Sequence, residues 1–273
     1  MLLSVIIMKK KLLLLIVFCL FTNCSFIVSK ASLFPDKSDI IDDTSLDSTI
    51  QPVKIYTRDN KSLHCYYLPE PRSNKILIYF HGNAGNIDQR IPELEQFRNL
   101  GVNVLGVGYR GYGKSTGRPS EKGIYKDGYV ALRFAQDSLK FPMENIIVCG
   151  RSIGTTVAVE IAQHKNLAGV ILVTPISSGW DQAKRMHIWF LIPFTGIPYN
   201  NLKKSVNIAA PVLIIHGTND NVAPYQWGQK LFKRIKSNKQ FITIKNGGHN
   251  NLEFVRPSLY WNSIGQFLNK ETL

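Results

Sequence analysis

Four short stretches of the chain carry side chains capable of nucleophilic chemistry. Residues 150–154 read Gly-Arg-Ser-Ile-Gly, which has the form of a serine hydroxyl held out on a sharp turn. The same pentapeptide is also an ordinary glycine turn at a strand end, and by chance it arises in roughly one chain in ten of this length. Its meaning depends on partners. Cleaving an ester, thioester or amide needs a base for the serine proton, an acid to orient that base, and N–H donors for the developing oxyanion. His249, in NGGHNN at 246–251, is the candidate base, and Asp220, in IIHGTNDNVAP at 214–224, the candidate acid. The glycine-rich YFHGNAGN at 79–86 offers the backbone N–H of Asn83, and the residue after the serine offers that of Ile153.

Each of these has a plainer reading alone: Asp220 as a turn residue, His249 as an exposed loop side chain, His81 as an anchor of the glycine loop rather than a base. Asp181 is the reserve acid, and Arg151 reads as a surface salt bridge or a partner for a substrate carboxylate. Order carries more than any member. Ser152, Asp220 and His249 follow one another in the sequence, each just past a strand-like segment, as one known arrangement of a nucleophile, acid and base requires.

The elements that must position them are legible from periodicity. VKIYT and LHCYYL flank the turn RDNKS as a hairpin. Six apolar runs then read as strands at 75–80, 102–109, 145–150, 168–174, 211–217 and 240–245. Between them the apolar residues recur every three or four positions, as at Ile87, Ile91, Leu94 and Phe97, or Tyr125, Tyr129, Leu132 and Ala135. Strands apolar on both faces and alternating with helices imply an α/β fold, a mostly parallel sheet covered on both sides. The folded part is read as one domain over 51–273, interrupted at 175–210 by an aromatic, proline-rich insertion with Trp180, Trp189, Phe190, Phe194 and Tyr199, expected as a lid over the carboxyl edge of the sheet.

FHGNAGN, YRGYGKSTGRPSEKGIYKDG, GRSIGTTVA, VLIIHGTNDNVAP and GGHNN together resemble the serine hydrolases of the α/β-hydrolase-domain group, which includes eukaryotic membrane-associated protein depalmitoylases and bacterial relatives. The resemblance spans about residues 53–269. It implies the α/β-hydrolase fold, a triad of Ser152, Asp220 and His249, oxyanion donors at Asn83 and Ile153, a site-shaping loop at Tyr109, Arg110 and Gly111, and no cofactor or metal. The implied reaction is hydrolysis of a carboxylic ester or thioester of a small-molecule, lipid or acylated substrate; a peptidase or amidase, or a non-catalytic binding module on this fold, are the alternatives. The depalmitoylases' amino-terminal cysteine cluster has no counterpart here beyond Cys19 and Cys24.

The formal charge is +14, three of it from Lys9, Lys10 and Lys11. The basic residues are scattered and no nucleic-acid motif accompanies them, so a solvated surface or proximity to acidic lipid is expected, not nucleic acid. The three lysines precede an apolar run at 12–21, short for a membrane span but of signal-peptide length. LFTNC then places Cys24 where a lipoprotein signal has its lipidated cysteine. Residues 1–23 are thus expected to be a signal peptide or membrane anchor and 24–50 a linker. An exported, membrane-anchored lipoprotein, an uncleaved anchor and a secreted protein are the three readings. Cys65 and Cys149, in strand-like runs, are expected as buried free thiols.

Overall fold

The computed structural model describes residues 32–38, 41–188, 190 and 197–269. Residues 1–31, with the signal-like run and Cys24, lie outside the described residues. So do Trp189 and Phe194.

The described residues form an eight-stranded sheet: β1 (Gln51–Tyr56), β2 (Ser62–Leu68), β3 (Ile76–Phe80), β4 (Asn103–Val107), β5 (Ile146–Arg151), β6 (Gly169–Val173), β7 (Val212–Gly217) and β8 (Lys239–Ile244). Its spatial order is β1-β2-β4-β3-β5-β6-β7-β8. The first two strands are an antiparallel hairpin, β2 runs antiparallel to β4, and every later pairing is parallel. Every residue of β3 through β7 is buried, which is why these strands are apolar apart from Asn103, Arg151 and His216 at or near their ends: helices cover both faces and leave no wet side. Edge strand β8 is half-exposed instead, with only Ile244 buried.

The helices are α1 (Ile91–Asn99), α2 (Glu121–Asp137), α3 (Gly154–Ala162), α4 (Gly179–Arg185), α5 (Asn201–Lys204), α6 (Tyr225–Arg234), α7 (Leu252–Val255) and α8 (Pro257–Leu268). Local chemistry sets their ends. Ser120 caps α2 by accepting from the Gly123 amide at 3.1 Å, with Glu121 in the first turn. Gly101, at φ +86°, takes the left-handed turn after α1. Tyr129, expected on the apolar face of α2, is instead at its edge; its hydroxyl reaches the Glu160 backbone carbonyl at 3.3 Å, and Gly128 and Val130 occupy the buried face.

The stretch read as a linker over 24–50 is, where described, laid along the domain. Leu33 and Ile50 are buried in it, Gly113 N–H donates to the Asp36 carbonyl at 2.7 Å, and the Lys114 ammonium reaches Asp43 at 2.9 Å. Cys65 and Cys149 are buried free thiols; burial pushes Cys65 up to about 12 and Cys149 well above the usual thiol range, so neither is a ready nucleophile.

Strand β5 lies at the centre of the sheet and turns directly into α3. A Cβ on Gly154 would fall on the Phe80 carbonyl oxygen at the end of β3, and one on Gly150 would fall on the backbone of Gly154. The turn can pack against β3 only with no side chain at either place. Gly154→Ala is therefore expected to lower stability by about 1–3 kcal/mol, seen as a reduced urea midpoint; an unchanged midpoint would show that the close approach does not matter.

Candidate active site

Ser152 sits at the β5–α3 turn with φ +53°, a left-handed conformation rare outside glycine. Its amide is tied to the Val173 carbonyl at 2.9 Å, and its carbonyl accepts from the Thr155 hydroxyl at 2.6 Å and the Thr155 amide at 3.0 Å. These contacts hold the strained residue in place and thrust the side chain out over the sheet edge. The α3 amino terminus begins directly behind it, so its partial positive charge faces the hydroxyl.

The loops after β7 and β8 bring the other two groups to this point. Asn219 N–H donates to the Gly247 carbonyl at 2.8 Å, joining the loops. His249 Nε2 lies 2.8 Å from Ser152 Oγ, and His249 Nδ1 lies 2.8 Å from Asp220 Oδ2. An ionised carboxylate can only accept, so Nδ1 carries the proton and Nε2 presents its lone pair to the serine. Ser152, Asp220 and His249 thus form one hydrogen-bonded chain.

Asp220 is buried and held by four donors. Its Oδ1 accepts from the amides of Val222 and Ala223 at 2.9 and 2.8 Å, and its Oδ2 from His249 and, at 3.2 Å, from His216. Burial pushes its carboxyl upward, but the hydrogen bonds from His216 and His249 outweigh it and hold the group well below the ordinary carboxylate range. The acid therefore stays ionised beside its histidine. His216 was not singled out from the sequence. A histidine closing an otherwise apolar strand, four residues before the acid, was the available signal. Its Nε2–H is shared between Asp220 and the Ala223 carbonyl at 2.8 Å, so it braces the acid loop.

On the opposite side, the loop after β3 passes against the serine: a Cβ on Gly82 would stand 3.6 Å from Ser152 Cβ. The Asn83 side chain donates to the Ser32 carbonyl at 2.9 Å and accepts from the Phe34 amide and the Tyr112 hydroxyl at 2.8 Å each. Asn83 and Ile153 line the same cavity as Ser152. His81 is wholly buried away from the serine, its Nδ1 at 2.6 Å from the Gly82 carbonyl and its ring against Tyr109 at 4.4 Å. Arg110 is spent on Asp127 at 2.7 Å and Asp59 at 2.8 Å, which ties the Tyr109–Arg110–Gly111 loop to α2. Asp181 is not at the triad; it accepts from Ser177 at 2.7 Å and pairs with Lys230 at 2.8 Å.

Arg151 makes neither a surface salt bridge nor a contact awaiting substrate. Its guanidinium is buried, 3.0 Å from Glu253 on α7 and 3.3 Å from Glu93 on α1, and Glu93 also accepts from the Tyr79 hydroxyl at 2.7 Å. One cation thus fastens β5, the strand that leads into Ser152, to the helix that follows His249.

The three groups open onto a cavity of about 1190 Å³. The insertion forms one wall through Ile176, Ala183, Met186, Ile188 and Tyr199, and the acid loop and α6 another through Val222 and Trp227. Trp180 is not in the lining; its ring lies 5.0 Å from the Lys184 ammonium.

Comparison with known proteins agrees with this fold. A family described as serine aminopeptidase, S33, matches residues 71–206, and one described as TAP-like protein matches 189–269. Alpha/beta hydrolase domain-containing protein 17B of Xenopus tropicalis is 30% identical over 237 residues, covering 79% of this chain and 78% of that one. The chain belongs to the α/β-hydrolase superfamily. Protein aho-3 of Caenorhabditis elegans is 32% identical to this hydrolase over 219 residues, covering 79% of this chain and 64% of that one. In fold, the hydrolase is similar to an esterase of Pyrococcus furiosus, with TM-score 0.70 at 22% identity, over 87% of this chain and 96% of the other. An acetyl xylan esterase of Thermoanaerobacterium gives TM-score 0.66 at 16% identity, over 92% of each chain.

Burial lowers His81 from 6.5 to about 3, so the folded α/β-hydrolase keeps it neutral where the unfolded chain protonates it. The unfolded state then binds more protons between these values, and stability falls as pH drops from 6.5 toward 3. His81→Gln should remove this share of the loss, about 2 kcal/mol between pH 7 and pH 5. Urea titrations at both pH values check it; an equally steep loss in the variant would contradict it.

Proposed function

We propose that this α/β-hydrolase is a serine hydrolase that cleaves carboxylic esters or thioesters through an acyl-enzyme on Ser152. The observation that carries the reading is the unbroken relay from Ser152 Oγ through His249 to Asp220, both links 2.8 Å, set at the mouth of a helix amino terminus. His249 Nε2 takes the proton as Ser152 Oγ attacks the acyl carbon, and Asp220 stabilises the imidazolium that forms. The amides of Asn83 and Ile153 receive the oxyanion. His249 returns the proton to the leaving alcohol or thiol, and the sequence repeats with water, freeing the acid and Ser152.

The largely aliphatic cavity wall made by Ile176, Ala183, Met186, Ile188 and Val222 supports a lipid or acylated substrate, with the acyl chain along the insertion. The aminopeptidase description of the matching family favours a second reading, cleavage of an amide. An aminopeptidase must hold a free ammonium group beside the nucleophile. The carboxylates that line this cavity, Glu93 and Glu253, are both paired with Arg151, which favours the ester reading. We also propose that residues 1–24 export the protein and hold it at a membrane, on the strength of the lysines, apolar run and Cys24.

Turnover of p-nitrophenyl esters of graded chain length, with aminoacyl p-nitroanilides alongside, tests the assignment. Wild type should hydrolyse the esters, and Ser152→Ala should lose at least about 10⁴ of kcat/KM. Equal ester turnover in the variant would overturn the role of Ser152, and turnover of the anilides alone would establish the amidase reading.

A further inference from the structure

The rim of the cavity is unusually apolar for a surface in contact with water. Phe34, Met186, Ile188, Val222 and Phe254 all line it, yet they are between 37% and 77% exposed. They come from four separate segments: the amino-terminal stretch, the insertion, the acid loop and α7. Core packing does not account for side chains left in solvent, and convergence from four segments onto one opening is more than scatter.

Two further observations say what covers them. The first is charge. Lys184 and Arg185 immediately precede Met186, and Arg256 lies two residues beyond Phe254, all exposed. The nearby carboxylates Glu93, Glu253 and Asp181 are offset by Arg151 and Lys230 to within one charge, against three exposed cations. The apolar rim is therefore flanked by residues of net positive charge, the pattern of a face that meets an anionic lipid surface.

The second is where the chain comes from. Ser32 and Phe34 are themselves on the rim, fixed there by the Asn83 side chain. The apolar run at 12–21 therefore joins the domain at the mouth of the cavity. The stretch from its end to Ser32 spans at most about 40 Å. Reaching the far side of a domain about 45 Å across means running about 70 Å around its surface. A run embedded in lipid would thus keep the mouth, not the back of the sheet, toward the bilayer.

We propose that the mouth of the Ser152 cavity is a lipid-docking face, in which Phe34, Met186, Ile188, Val222 and Phe254 enter the surface of an anionic bilayer. Resting on the hydrolase reading, one consequence is that an acyl chain passes from lipid into the cavity without crossing water.

The test uses the full chain reconstituted with vesicles of phosphatidylethanolamine and phosphatidylglycerol. A photoreactive p-benzoylphenylalanine replaces Met186, Phe254 or, as a control, Tyr56, an exposed aromatic on β1 outside the cavity. Circular dichroism confirms that each variant folds. Docking predicts phospholipid adducts from positions 186 and 254, at least several-fold more than from 56, and a several-fold drop when phosphatidylcholine replaces phosphatidylglycerol. Equal adducts at all three positions, none at 186 and 254, no dependence on lipid charge, or cross-links to residues 1–31 or a second protein copy instead would overturn the proposal. Fluorophosphonate labelling of Ser152 in detergent, in the unsubstituted chain, reports separately on the hydrolase reading.

Discussion

A hydrogen bond survives an error of only a few tenths of an ångström, and Ser152, His249 and Asp220 must satisfy two such bonds from three different loops. The serine and histidine are 97 residues apart and the acid and histidine 29. Nothing local can hold that geometry. It depends on β5, β7 and β8 running parallel, so that their carboxyl ends open on one edge of one rigid sheet. The register of β7 on β8, Gly217 opposite Ile244, then sets the two loops side by side, and their direct bond from Asn219 to Gly247 locks them. The left-handed Ser152 and the glycines around it follow from the same need: a hydroxyl cannot reach the edge from a buried strand without a sharp turn.

Charge is arranged to serve this constraint. Asp220 pays for its burial with four donors, which keeps it ionised and leaves the imidazole of His249 in the one tautomer that can accept from the serine. The Arg151 cluster does a comparable job from below. Burying a guanidinium between Glu93 and Glu253 gains little net stability, but it fixes β5 to the helix that begins just after His249. The identity of the residue next to Ser152 is thus tied to the position of His249.

Much of this was legible in the sequence. Strands apolar on both faces implied a central, mostly parallel sheet, and motifs set at strand ends, in a fixed order, implied a meeting at its carboxyl edge. What stayed hidden depended on distance in space. Arg151 read as a surface residue because its partners lie 58 and 102 positions away. His216 looked like any strand-end histidine until Asp220 curled back toward it. Tyr129 obeyed helical spacing yet fell at the edge of its face, since spacing gives the stripe but not its width. The stretch from 32 to 50, rich in Ser and Asp, read as linker; its hydrogen bonds to Asn83, Asn86, Gly113 and Lys114 come from loops that composition cannot see.

The central claim is that Ser152 forms a covalent acyl intermediate within the relay. Rapid acid quench of the enzyme with an activated ester, followed by mass spectrometry of the peptide containing Ser152, tests it most directly. The account predicts an acyl adduct on Ser152 that forms and decays with turnover, and that does not form in Ser152→Ala. Full ester turnover with no adduct on Ser152 at any time, or an adduct on another residue, would contradict it.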